Sequence, residues 1–315
     1  MSCRFAFLLL FTLGLSLVPT SARQQDPPPK QDPPKTEAQD IMKFETNLVV
    51  LNVTITDGGD RYVAGLKQED FKIFEDKTPQ TIVDFNASES PFAVAILLDT
   101  SLSMQSKLTL ARAACAKFVE GLREGDTFAI YSFGGFKVKQ MQDFTEVRDV
   151  PDSVWDLKVD GETPLYDAIT KSAEALSQRP ERRRAILVVS DGADTKSKAT
   201  LDQALKKTLE AQASIYAVDL SDASVYKSQP RDNGAEVMKN LTAKTGGKFF
   251  ATAGGSELRD AFVKTVDELR NQYTLTYEST NEKYDGKWRV VEVRVAKPLA
   301  NVRTRQGYYA KKQKG

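Results

Sequence analysis

Histidine is absent from all 315 residues. That lack excludes His-dependent nucleophilic triads, the most widely used general base, and almost every zinc or haem site. Cysteine is nearly absent too, with only Cys3 and Cys115. Neither sign of charge dominates: Lys and Arg number 44 and Asp and Glu 43. Nothing in that balance calls for nucleic acid or an anionic membrane as partner. Long apolar runs are scarce, and one of them lies at the start of the chain. Arg4 precedes the apolar stretch Phe5 to Val18, which ends in Pro19-Thr20-Ser21-Ala22. A basic residue, an apolar core and a small-residue end describe a secretory signal peptide over residues 1–22, cleaved near Ala22. The run is shorter than the roughly 20 residues that a spanning helix needs, and no later segment is long and apolar enough. Cys3 lies before the apolar core, the wrong side for a lipoprotein cysteine. The expected product is an exported protein, periplasmic or secreted, with no transmembrane anchor after cleavage. Cys115 is then its single thiol, so no internal disulfide forms and the fold rests on core packing.

What is present begins with a linker. Residues 23–43 are proline-rich and polar, with nothing to seed a core, and read as an extended spacer. Residues 44–91 form an N-terminal β segment. Leu48 to Ile55 is β-branched and bounded by Asp57-Gly58-Gly59-Asp60, and further extended pieces run through Phe71 to Phe74 and Thr81 to Phe85. Three short strands cannot bury both their faces unaided. The far end of the chain, residues 272–310, offers partners. Gln272 to Ser279 and Trp288 to Val295 alternate apolar and polar residues, and Val302 to Tyr309 adds an edge strand. The two ends are expected to meet in one antiparallel β module, followed by a basic tail at 311–315.

Residues 92–271, inserted between those ends, alternate strand and helix. Strands are expected at Phe92 to Leu98, Thr127 to Phe133, Ala185 to Val189, Ser214 to Val218 and Lys248 to Ala251. Amphipathic helices are expected at Lys107 to Leu122, Pro164 to Leu176, Lys198 to Ala211 and Ser256 to Leu269. Such alternation gives an α/β fold, a doubly wound parallel-type sheet with helices on both faces. Cys115 falls on the apolar face of its helix, where a thiol is inert.

The chemistry gathers at the ends of two buried strands. FAVAILLDTSLSM, Phe92 to Met104, is an unbroken apolar run that stops at Asp99 and continues into Ser101 and Ser103. Arg184 to Ser190 likewise ends in an acid, Asp191, and Thr163 opens a helix after Gly161-Glu162. Each residue has a structural reading: Asp99 as a helix cap, Thr163 as an N-cap, Asp191-Gly192 as a turn. Each also has a functional one. Central strands of a doubly wound sheet release their carboxyl ends side by side, where α/β folds hold ligands. Asp99, Ser101, Ser103, Thr163 and Asp191 can then share one pocket of hard oxygen donors, suited to Mg²⁺ or Ca²⁺.

This set resembles the metal-ion-dependent adhesion site of von Willebrand factor type A (VWA) domains. Asp99-Thr100-Ser101-Leu102-Ser103 matches the Asp-x-Ser-x-Ser element, Thr163 the separate threonine and Asp191 the last acid. The likeness covers residues 92–271. The flanks, Leu66 to Asp76 and Arg305 to Tyr309, are similar to exported bacterial proteins with a von Willebrand factor A-related domain. The resemblance implies a Rossmann-like sheet and a divalent cation, Mg²⁺ with Mn²⁺ or Ca²⁺ as alternatives. It implies hydroxyl ligation from Ser101, Ser103 and Thr163, with Asp99 and Asp191 acting largely through coordinated water. It also implies a partner protein presenting Asp or Glu to the open coordination position. The loops 134–137, 192–198 and 220–234 are expected to frame the rim, the last carrying Asp222, Lys227, Arg231 and Asp232.

Two other classes stand beside this binding reading. One is a structural or assembly module of an extracytoplasmic complex, with a metal site it does not use. The other is a metal-dependent phosphohydrolase, whose nucleophilic Asp would need a second acid two residues on. Ser101 stands at that position, so no enzymatic activity is expected. A dinucleotide site lacks its Gly-x-Gly-x-x-Gly cradle after Leu98.

Overall fold

The run that begins at Phe92 is buried along all eight residues of its strand. Nothing but a central position in a sheet covered on both faces accommodates it. The computed structural model describes residues 48–191, 194–221, 234–252, 255–298 and 300–312. The expected leader, the proline-rich linker and rim positions 222–233 lie outside the described residues. In chain order the first strands are β1 (Leu48–Thr56), β2 (Phe71–Glu75), β3 (Thr78–Gln80), β4 (Ile82–Asn86), β5 (Phe92–Asp99), β6 (Thr127–Gly134) and β7 (Lys137–Thr145). Then come β8 (Arg183–Ser190), β9 (Ala213–Asp219), β10 (Phe249–Ala251), β11 (Tyr273–Glu278), β12 (Trp288–Val295), β13 (Asn301–Arg303) and β14 (Gly307–Tyr309). The longer helices are α1 (Leu108–Glu120), α2 (Leu165–Ser177), α3 (Leu201–Glu210), α4 (Gly234–Thr245) and α5 (Gly255–Asn271).

The middle of the chain builds a six-stranded sheet in the order β10-β9-β8-β5-β6-β7. Its pairings are parallel except at β7, which runs antiparallel beside β6. That edge strand departs from the expected parallel-type sheet and begins inside a stretch read as a rim loop. Alternate residues of β5 feed two cores. Phe92, Val94, Ile96 and Leu98 pack with α1 and α5, while Ala93, Ala95 and Leu97 pack with α2, α3 and α4. Small residues on the second face let α2 approach closely. Helix α4 was not among the expected elements.

Cys115 lies in the first of these cores with no solvent exposure. Burial pushes its thiol up to about 12, which leaves almost no thiolate near neutral pH. Native protein at pH 8 is expected to leave Cys115 unlabelled by an aromatic disulfide reagent, as read by peptide mass spectrometry. Labelling at the rate of the denatured chain would contradict this burial.

The two ends of the described chain meet, in two sheets where one module was expected. One has the order β13-β1-β11-β4 and the other β14-β12-β2-β3. Each combines strands from before and after the α/β layer, and in the first they alternate. The stretch expected as a single last strand divides into β13 and β14, which pair with β1 and β12 respectively. Leu51, Val53, Ile55, Ile73, Leu275, Tyr277 and Val293 form the shared core of this sandwich. Within it Glu75 is buried and accepts hydrogen bonds from Tyr277 (2.8 Å), Tyr308 (2.8 Å) and Ser279 (2.7 Å). A second buried acid ties sandwich to α/β layer. Glu268 of α5 accepts from Tyr216 on β9 (2.7 Å) and Thr54 on β1 (3.3 Å), and pairs with Arg303 on β13. The described residues belong to one compact unit.

Candidate functional site

The chain leaves β5 toward β6 on one side and later returns to lay β8 on the other. The carboxyl ends of β5 and β8 therefore flank a topological switch point, the crevice where open α/β sheets bind ligands. Asp99 ends β5 there, fully buried. One carboxylate oxygen accepts from the Ser101 backbone N–H at 2.7 Å, and the other from the Ser190 hydroxyl at the end of β8. Burial pushes the Asp99 carboxyl up to about 6. Hydrogen bonds from Ser190 and Ser101 oppose that rise, and the nearby charge of Asp191 adds to it.

From Asp99 the polar chain runs outward. Ser101 and Ser103 share a hydroxyl–hydroxyl hydrogen bond of 3.0 Å. Ser103 donates to one carboxylate oxygen of Asp191 at 2.6 Å, and the Lys107 ammonium donates to the other at 3.0 Å. Four of the five expected residues are thus joined through the turn that holds Ser101 and Ser103. The fifth, Thr163, is buried beside them, since the Leu102 N–H donates to the Gly161 carbonyl two residues before it. Thr163 is held by its backbone, which exchanges hydrogen bonds with the hydroxyl (2.9 Å) and N–H (3.0 Å) roles of Thr195. Among the described residues the Thr163 hydroxyl has no hydrogen-bond partner.

Pro164 and not Thr163 is the N-cap of α2, and it makes no side-chain cap bond. The first turn of α2 is capped from a distant loop, Tyr166 N–H donating to Asp194 (3.1 Å) and Asp167 N–H to Ser197 (3.0 Å). Asp99 does not cap α1, whose N-cap is Lys107. Close packing fixes the loop after β5. A Cβ placed on Gly134 would lie 2.3 Å from the Thr100 hydroxyl oxygen, so only glycine lets β6 pass there.

Sequence reasoning missed several participants. Ser190, Lys107 and Thr195 all bond to site residues, and Asp219 is a third buried acid at a strand end, accepting from Ser221 at 2.6 Å. Ser221 in turn donates to the Asp191 carbonyl at 2.9 Å. Asp219 carried a legible signal: like Asp99 and Asp191, it follows a run read as a buried strand. Two large apolar side chains stand exposed nearby, Leu102 in the serine turn and Phe136 in the β6–β7 hairpin, at 61% and 74%.

The donor set is oxygen only, two carboxylates and three hydroxyls. Among the described residues no group of three or more His, Cys, Asp or Glu side chains could hold a metal, so a transition-metal cage is not what this pocket offers. Its fit to Mg²⁺ is dimensional. Neighbouring ligands of an octahedral Mg²⁺ at about 2.1 Å stand about 3.0 Å apart, which is the Ser101–Ser103 oxygen separation of 3.0 Å. The two serine hydroxyls thus have the spacing of adjacent ligands of one such ion.

A doubly wound α/β layer with oxygen donors gathered at its switch point defines a structural class of domain. Within that class, residues 94–193 match the family model of the von Willebrand factor type A domain, and the chain carries a domain of that family. Solved structures show likenesses at low identity. A von Willebrand factor type A protein from Catenulispora acidiphila is 12% identical, with a TM-score of 0.49 over 86% of this chain and 76% of that one. An aerotolerance-related membrane protein from Bacteroides fragilis is 17% identical, with a TM-score of 0.46 over 56% and 98%. The PilB minor pilin from Streptococcus sanguinis is 11% identical, with a TM-score of 0.44 over 59% and 63%. No curated protein sequence matches the chain significantly.

Proposed function

We propose that this chain is an exported VWA-domain binding protein that engages a protein partner through a divalent cation, Mg²⁺, held by Asp99, Ser101, Ser103, Thr163 and Asp191. VWA domains generally mediate protein–protein interactions. The observation that carries the reading is the chain of hydrogen bonds at the switch point, from Asp99 to the Ser101 N–H, between the Ser101 and Ser103 hydroxyls, and from Ser103 to Asp191. Bound there, Mg²⁺ would supply a Lewis-acidic charge with room for one more oxygen ligand. The chain's own part is to present neutral hydroxyls, so that few direct negative ligands quench that charge. Asp99 orients the turn through the Ser101 N–H. Ser190 fixes the second oxygen of Asp99, and the strap to Thr195 sets Thr163. A partner Asp or Glu suits the open position. Because Mg²⁺ gives up water reluctantly, surrounding contacts supply much of the affinity, and exposed Leu102 and Phe136 are suited to that.

The leader expected at residues 1–22 supports export. Among the described residues no helix is long and apolar enough to cross a membrane. Calorimetric titration with Mg²⁺ tests the site: wild type is expected to bind, and Asp99→Ala to lose at least 100-fold in affinity. Equal binding by both would sink the reading. Capture of partners with and without chelator tests the bridge, with EDTA expected to release them. Recovery of the same partners in EDTA would instead favour a structural module whose ion is unused.

A further inference from the structure

We propose that Lys107 is the resident counter-cation of this site, competing with the divalent ion for Asp191 and thereby setting how readily the site fills. The inference rests on the metal reading above and concerns a residue outside its ligand set. Asp191 is 4% exposed at its side chain and Lys107 17%. A carboxylate so withdrawn from water needs a charge partner, since an unpaired one costs several kcal/mol. The ammonium supplies it at 3.0 Å, on the oxygen that Ser103 leaves free.

The placement of this lysine runs against its own helix. Lys107 is the N-cap of α1, the end where the helix dipole repels cations. Its ammonium gains nothing from α1, makes no cap bond and contacts the site instead. The four-carbon stem makes Lys107 a movable point charge, unlike the rigid fork of an arginine. When a dication draws on Asp191, the ammonium must share that carboxylate or withdraw toward water. Either course costs free energy, and the cost is subtracted from ion affinity. In the other direction, whatever Lys107 contributes to the metal-free fold is what its removal would cost.

Both consequences are measurable on the full chain. In Lys107→Met, calorimetric Mg²⁺ affinity is expected to rise at least tenfold. The Tm in EDTA is expected to fall by several degrees, so that Mg²⁺ raises Tm more in the variant than in wild type. Lys107→Gln keeps a donor for Asp191 without the charge and provides a second, milder variant with the same expected gain. Lys107→Arg retains the charge and should stay within threefold of wild type. Unchanged or weaker Mg²⁺ binding in both neutral variants overturns the proposal while leaving the metal reading intact. A gain in Lys107→Arg equal to that in Lys107→Met assigns the effect to packing and also overturns it. Absence of binding in wild type and all variants overturns the metal reading and this inference together. Binding that emerges only in the neutral variants supports the inference in its strongest form.

Discussion

Deletion of residues 272–315 is expected to leave the remaining chain aggregated, with residues 48–86 digested far faster than in the full protein. The segment removes both neighbours of β1, since β1 pairs with β11 along Leu48 to Val53 and with β13 along Thr54 to Thr56. It takes β11 from β4 and β12 from β2 as well. What survives of the sandwich is the β2–β3 hairpin and two unpaired strands. Val49, Leu51, Val53 and Ile55, all buried in the intact fold, would face water on β1. Each costs about 1.5–3 kcal/mol to expose, and the bare strand edges invite pairing with other chains. Size-exclusion chromatography and limited proteolysis read the result. A monomer with native protease resistance at residues 48–86 would contradict the interleaved sheets.

Replacing Arg183 with methionine is expected to lower stability by about 4 kcal/mol and Tm by about 10 °C. Arg183 opens β8 and is fully buried, yet among the described residues it forms no ion pair. Its guanidinium donates to the carbonyls of Arg270 (2.9 Å), Leu269 (3.3 Å), Gln272 (2.6 Å) and Ser88 (2.9 Å), and to the Thr274 hydroxyl (3.3 Å). The first two belong to the last turn of α5, where helix carbonyls lack intrahelical donors and the dipole favours a cation. The others lie at the two crossings between sandwich and α/β layer. Burial lowers the Arg183 pKa to about 10, with the charge of Glu89 working against that shift, so the side chain stays cationic at neutral pH. Methionine fills similar space but leaves the carbonyls without donors, at about 1–3 kcal/mol for each buried group left unpaired. Lysine should rescue little, because one ammonium cannot span acceptors arranged for a planar fork. Differential scanning calorimetry decides the matter, and an unchanged Tm would refute this role.

The central strands and the site were legible for the same reason. A run such as Phe92 to Leu98 tolerates only a two-sided burial, and an acid directly after it must stand at the sheet's mouth. The sheet that completes the picture was harder to see. Strand β7 has no fully buried residue, and register shifts opposite Phe128 to Tyr131 break the two-residue period that would have marked it. Helix α4 buries Thr242 and Thr245 beside Met238 and Leu241, so its inner stripe is only half apolar. The alternation of β12 showed which of its faces is buried, whereas β11 is buried on both, and neither pattern showed that these consecutive strands enter different sheets. Lys107 was invisible for a topological reason. Its partner Asp191 lies 84 residues later, and a lysine beside a helix start otherwise reads as solvated.

The interleaving of strands also decides how the molecule bears load. The α/β layer is joined to the sandwich by two covalent exits, through β4 and β11, and these strands are hydrogen-bonded neighbours with Asn86 opposite Thr274. A pull exerted on the serine turn therefore leaves the layer through two adjacent strands that share the tension. Neither exit acts as a lone hinge about which the layer can swivel. Tension applied between residues 48 and 309 follows a different route. It loads the ladders of β1 with β11 and β13, together with the Glu268 contacts that tie β1 and β13 to α5. The sandwich and its link to α5 share that load.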